Sequence, residues 1–187
     1  MAPPPSSGIA PVAARSPAGG WCSPNLHGCP CGRAGQDGET CRCPDAVAAR
    51  YTDRVSGPLR DRIDLWVSMA RVAPAAVVGA ETPESSAAVA DRVVAARTRQ
   101  LFRSGTLNAT LAGRALRAAC RLDPKAAARA VELAELEGLS ARGTERLLRV
   151  ARTVADLSGA VVVGCEALEE AARYRSPSRV LDRRMAV

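Results

Sequence analysis

Lysine is nearly missing from this chain of 187 residues: Lys125 stands alone, so every other one of the 26 basic residues is arginine. Aromatic residues are scarce as well, at 3% with a single phenylalanine. An apolar content carried by alanine, valine and leucine instead argues against a sandwich or barrel and favours closely packed helices. No apolar run approaches the roughly 20 residues that a membrane-spanning helix needs. Met1 to Gly20 holds no charged-then-apolar leader; it is rich in Pro, Ala, Ser and Gly, which is not a secretory signal. A phosphate-cradling G-x-x-x-x-G-K-[ST] is also missing, since Lys125 follows Pro124 with no glycine loop before it.

What is present is basic, with a net charge of +7. Arginine clustered on one face would meet nucleic-acid phosphates. The plainer alternative is a solvated helical surface, because Arg and Ala enrichment with little Lys also follows from a GC-rich coding sequence. Composition leaves both open.

Cysteine is the other feature. The residues are Cys22, Cys29, Cys31, Cys41, Cys43, Cys120 and Cys165, an odd number. With no leader, a reducing cytoplasm is the expected compartment, and clustered thiols there point to metal before disulfides. Cys29-Pro-Cys31 and Cys41-Arg-Cys43 form two C-x-C pairs, with Gly32, Gly35 and Gly38 in the loop between them. Zinc takes four thiolates in a tetrahedron at about 2.3 Å, and paired thiols on tight turns supply that shape. Reduced surface thiols packed on a neighbour, or disulfides, remain the alternatives. His27 is near enough in sequence to substitute as a ligand. Nothing beside the cluster offers a general base with a partner, so a metal here is structural. Cys120 and Cys165 sit singly in helical pattern, where a small buried hydrophobe is expected.

Six prolines within residues 1–28 exclude regular helix there, and the stretch has no apolar period, so it is expected to be disordered. Pro44 opens a helix through about Val55, stopped by Gly57-Pro58. Ile63, Leu65 and Val67 alternate with polar or bulky neighbours, the period of a short half-buried strand. Pro74 to Pro83 is a connector. Ala90, Val93, Arg97 and Leu101 then recur at helical spacing between Pro83 and Phe102, before Gly105. A short helix over Leu111–Cys120 follows. Asp123-Pro124 caps and opens another helix, which closes at Gly138. Ser140 caps a further one, with Leu147, Val150, Ala151 and Val154 as its apolar stripe and Gly159 after its end. A last helix covers about Cys165 to Tyr174. Short connections after Pro83 predict a compact helical bundle.

Three motifs carry a resemblance: CPCGRAGQDGETCRC from Cys29, SGPLRDRIDL ending at Leu65, and LSARGTERLLRVARTVADLSG from Leu139 to Gly159. Together they resemble the C-terminal third of the YifB/ComM family of magnesium-chelatase-like AAA+ ATPases, over roughly Cys29 to Arg179. The resemblance implies a mainly α chain: an AAA+ lid-like helical bundle with one short strand segment. By it, residues 1–28 are a disordered or mis-started segment and 29–82 the cysteine loop plus the end of an AAA+ core. Residues 83–179 are the helical lid, and 180–187 a tail.

In that family Arg62 of LRDRIDL matches an arginine finger that reaches the γ-phosphate held by an adjacent subunit. Arg142 of LSARGTE matches the sensor-2 arginine, which faces the subunit's own nucleotide. Arginine suits both tasks because its planar guanidinium stays charged and meets phosphate oxygens as a fork. Without the resemblance, Arg62 is better explained by pairing with Asp61 or Asp64, and Arg142 as one more arginine on a solvated helix, like Arg146 or Arg149.

The chain departs from the family pattern where His27-Gly28 replaces an expected Asn-Pro, the asparagine being the sensor-1 residue. The resemblance further implies hexameric partner subunits, ATP with magnesium in a complete family member, and DNA as a possible partner. With no glycine loop or magnesium-binding acids, the chain alone is not expected to hydrolyse ATP. A stand-alone zinc-stabilised module that binds DNA or protein, or a decayed reading frame, are the competing expectations.

Overall fold

The computed structural model describes residues 29–31, 41–52, 62–67, 72, 74–79 and 84–175. The expectations for residues 1–28 and for the 180–187 tail lie outside the described residues. Contacts divide the chain into two units: 1–55 with 68–71 and 181–187, and 56–67 with 72–180.

In the first unit, α1 (Asp45–Thr52) begins where the Pro44 carbonyl accepts the amides of Val47 and Ala48, at 2.9 and 3.1 Å. Proline suits this place because a helix start needs no amide from it. Asp45 in the first turn and Arg50 in the last complement the helix dipole. The continuation expected toward Val55 lies outside the described residues.

The second unit is helical. Its elements are α2 (Pro74–Val78), α3 (Ser86–Ser104), a 3-10 turn (Asn108–Thr110), α4 (Gly113–Cys120), α5 (Pro124–Leu136), α6 (Ala141–Leu157) and α7 (Cys165–Arg173). No strand occurs among the described residues. Local chemistry sets most boundaries. Ser85, Asp123 and Ser140 each accept the amide three residues on, at 3.2, 2.7 and 3.1 Å. Each satisfies an amide that the first helical turn leaves unpaired. Gly105, at φ 66°, ends α3 with its amide on the Leu101 carbonyl. Arg121 takes the same left-handed turn after α4, at φ 50°, a conformation in which a side chain is strained.

α6 is the hub, packing against α3, α4, α5, α7 and the 3-10 turn. Leu147 and Ala151 of the expected stripe are fully buried, whereas Val150 and Val154 are half-buried. The buried side also takes Leu148, Arg152, Ala155 and Asp156. Leu116, Cys120, Ala126, Leu133, Val163 and Leu168 complete the core around it.

Three expectations are corrected. The Pro74–Pro83 connector contains α2. The α3 stripe of Ala90, Val93, Arg97 and Leu101 faces outward; Ala96 and Gln100 are its buried residues, and Phe102 is 94% exposed. This helix is held by polar groups as well as by apolar ones. Finally, residues 63–67 form no strand, and Leu65 and Val67 are exposed while Trp66 is buried. The end of α7 takes the Ile63 and Asp64 carbonyls and the Trp66 amide, a role that a neighbouring strand would otherwise fill.

Candidate functional site

The two C-x-C pairs converge. The sulfurs of Cys29, Cys31, Cys41 and Cys43 all lie within 4.8 Å of one another. Cys29 to Cys31 is 3.1 Å, Cys29 to Cys41 is 3.4 Å, and Cys31 to Cys41 is 3.7 Å. A tetrahedron with Zn–S of about 2.3 Å has sulfurs about 3.8 Å apart. The four thiols therefore stand close to the spacing that a four-coordinate ion demands, and the cluster can hold a metal ion. None of the described cysteines is in a disulfide. The glycines of the intervening loop and His27 lie outside the described residues.

The thiols also influence one another. The Cys43 amide donates to the Cys41 sulfur at 3.4 Å. A backbone hydrogen bond at Cys31 draws the Cys43 pKa down, but the Cys31 thiol, desolvation and the sulfurs of Cys41 and Cys29 push it up to about 11. Cys41 is displaced upward too: the Cys43 amide opposes the change, and desolvation with the Cys29 and Cys31 thiols drives it. Packed together without a cation, the Cys41 and Cys43 thiols hold their protons more tightly than an isolated thiol does. A soft cation reverses that preference by stabilising thiolate.

Arg62 is exposed and opens the segment 62–67. Asp64 pairs with Arg146, Nε to Oδ1 at 3.2 Å. The Trp66 amide donates to the Tyr174 carbonyl at 2.8 Å. Arg175 is buried, and its guanidinium donates to the carbonyls of Ile63 and Asp64. Asp64, one of the two acids that flank Arg62 in sequence, is thus engaged by Arg146.

Arg142 is the second residue of α6 and is exposed. The Ser140 cap orients the first turn, whose remaining amides favour anions. Gly143 beside it is buried, and a β-carbon there would approach Leu139 Cβ to 3.2 Å. A cleft opens nearby between α4 and α6, lined by Gly113, Leu116, Arg117, Ala141, Thr144, Glu145 and Leu148. Neither Arg62 nor Arg142 lines it. The two arginines lie in one contact unit, Arg62 in the segment that Asp64 joins to Arg146, one helical turn beyond Arg142 on α6.

A buried polar network went unrecognised in the sequence. Arg152 is fully buried and donates to Asp156 and to the carbonyls of Ala160, Val161 and Ala119. Asp156 also accepts Arg103 and the Asn108 amide group, and Asn108 in turn bonds Gln100 and Thr153. Burial lowers the Arg152 pKa, with the Asp156 carboxylate opposing it. For Asp156, burial works upward, but hydrogen bonds from Arg103 and Asn108 and the Arg152 charge hold it below the ordinary carboxylate value. The sequence did hold a signal: Arg152 and Asp156 fall in phase with Leu148, Ala151 and Ala155 on the buried side. Cys120 is buried with them, and burial pushes its thiol up to about 11, so it is an inert core residue.

No helix among the described residues is long and apolar enough to cross a membrane. Residues 83–175 match the family model described as magnesium chelatase, subunit ChlI C-terminal, and residues 17–77 match that of magnesium chelatase, subunit ChlI. The chain is 39% identical to YifB of Escherichia coli strain K12 over 141 residues, which is 75% of this chain and 28% of that protein. YifB of Salmonella typhimurium is 40% identical over the same shares of both chains. Competence protein ComM of Haemophilus influenzae is 34% identical over 135 residues, 72% of this chain and 26% of ComM. The chain therefore spans little more than a quarter of the length of these relatives.

Proposed function

This chain belongs to the magnesium chelatase ChlI family, and on that premise we propose that it supplies the arginine-bearing part of an ATP-hydrolysing AAA+ assembly. Arg62 acts as an arginine finger toward nucleotide on an adjacent subunit, and Arg142 as the sensor-2 arginine toward nucleotide on its own. The observation that carries this reading is their placement: both are exposed, in one contact unit, with Arg142 at a capped helix N-terminus. Fixed cationic groups of this kind stabilise charge that develops as a phosphoryl group transfers.

ATP and its magnesium are held by a complete family member, since the 187 residues contain no G-x-x-x-x-G-K-[ST]. The chain by itself does not turn over ATP. Its partners are other AAA+ subunits, in a ring of the hexameric kind. DNA is the further partner that a net charge of +7 favours. A structural zinc ion on Cys29, Cys31, Cys41 and Cys43 holds the cysteine loop closed, supported by the convergence of their sulfurs. A cytoplasmic setting, where thiols stay reduced and open to metal, goes with that zinc site.

Steady-state phosphate release tests the reading. The chain alone gives none. Mixed with an intact family member, it supports hydrolysis that Arg62→Ala slows by up to about 10³–10⁵-fold, with little loss of nucleotide binding. Turnover by the chain alone that survives repurification would overturn the proposal. A second reading, a zinc-stabilised module that binds DNA or protein without nucleotide, is favoured by the cysteine cluster alone. Salt-dependent DNA binding, with no effect of the chain on an intact member's turnover, selects it.

A further inference from the structure

We infer that Arg175 is a positioning residue for Arg62, clamping the segment that carries it onto the helical bundle so that Arg62 and Arg142 belong to one moving body. The role in turnover rests on the proposed function; the clamp itself does not.

The segment 63–67 is irregular, so its peptide groups have no ladder to join and must find partners elsewhere. Two consecutive residues at the end of α7 provide them. The Tyr174 carbonyl takes the Trp66 amide at 2.8 Å, and the Arg175 guanidinium takes the carbonyls of Ile63 and Asp64. Arg175 is only 4% exposed and Trp66 6%, so these bonds are shielded from competing water. The residues they join are more than 100 positions apart in sequence, 112 for Arg175 with Ile63.

Arginine suits the clamp better than lysine. A planar, always-charged guanidinium can serve neighbouring carbonyls from one fixed orientation, whereas an ammonium is a more strongly hydrated point charge on a flexible stem. Arg62 precedes Ile63 directly, so the carbonyl that Arg175 holds belongs to the next residue along the chain.

A second tie leads to the other arginine. Asp64 pairs with Arg146 on α6, four residues after Arg142. Arg62 is therefore secured to the end of α7 and to the helix whose first turn carries Arg142. A nucleotide that draws Arg142 toward its phosphates displaces α6, and the clamp carries Arg62 with it. Occupancy of one nucleotide site is thereby felt at the next.

The experiment has two arms, each on the full chain with Arg175→Lys, which keeps the charge and removes the planar guanidinium whose Nη1 reaches both carbonyls. In the first, hydrogen exchange is read on the chain alone. Exchange at the Trp66 amide should rise about tenfold, the loss expected for one hydrogen bond, while α6 amides beside Arg152 stay protected. Unchanged exchange at Trp66 overturns the clamp, and loss of protection throughout α6 overturns it as a local device.

The second arm measures ATP turnover in the mixture with an intact family member. Arg175→Lys should lower kcat and leave KM for ATP unchanged, as Arg62→Ala does. The double variant should be no slower than Arg62→Ala, because both act through one group. Losses that multiply overturn the positioning role. If Arg62→Ala itself has no effect, the nucleotide reading fails and the positioning role falls with it, while the exchange arm still decides whether the clamp exists.

Discussion

Arg103 grips Asp156 across 53 residues of sequence, its two terminal nitrogens 2.6 and 2.9 Å from the two carboxylate oxygens. This fork joins α3 to the middle of the bundle at the point where Arg152 and Asn108 also reach the same carboxylate. It accounts for an α3 whose apolar stripe faces outward: the helix is tied down by Gln100 and Arg103, with Arg99 on the Asp156 carbonyl at 2.9 Å.

Asp156→Asn leaves the Arg152 guanidinium buried without its counter-charge. Removing one partner of a buried pair commonly costs about 3–5 kcal/mol, so this substitution should sharply lower the denaturation midpoint of the helical unit. Arg92→Ala, which breaks the exposed Glu84–Arg92 pair, should leave the midpoint nearly unchanged. Equal effects from the two variants in urea melts would contradict the assigned importance of burial.

The same carboxylate sets an acid limit. Its folded pKa lies below its ordinary value. The stability it contributes is therefore fully present above the unfolded pKa of about 3.9, and it is lost as pH falls through the folded value. Melting temperatures between pH 7 and pH 2 should show a steep drop below about pH 4 in the unsubstituted chain. The drop should be shallower in Asp156→Asn, and parallel curves would assign the acid sensitivity to other carboxylates.

Protein prepared without chelator should carry close to one zinc ion per chain. Cys41→Ser with Cys43→Ser should abolish it, as read by elemental analysis. Binding must expel protons from thiols held as high as about 11 at Cys43, so zinc affinity should weaken steadily as pH falls. Metal content that survives the double substitution excludes the cluster as the site.

Helix capping offers a smaller, local test. Ser140→Ala removes the acceptor of the Gly143 amide, and Asp123→Ala that of the Ala126 amide. Each should cost about 1 kcal/mol. Ser140→Ala should in addition weaken any effect of Arg142 on nucleotide, because the first turn of α6 loses its anchor. An Asp123→Ala variant with the same nucleotide defect would show that the loss is general destabilisation.

Much of the fold was legible because its signals are local. Ser140, Asp123-Pro124 and Gly105 announce helix ends by chemistry completed within a few residues, and the helices begin or stop beside them. The cysteine spacing was legible for a similar reason, since two C-x-C turns need only one loop to fold back. Which side of each helix faces inward was less so. Val93 and Leu101 recur as a core stripe would, yet Ala96 and Gln100 are buried instead, because Asn108 and the distant Asp156 supply what α3 packs on.

The sequence alone determined the family, the helical class, the caps and the four cysteines with a metal-ligand spacing. Each of these depends on residue identity and short separation. Tertiary structure alone decided that residues 63–67 are not a strand, that Trp66 turns inward, and that Arg152 and Asp156 lie at the centre of the bundle. It also decided that Arg175 holds the backbone next to Arg62. The physical reason is common to all four. A buried charge or an irregular backbone is tolerable only when partners meet it, and Arg103 comes to Asp156, and Arg175 to Ile63, from far along the chain, where no local pattern records the arrival.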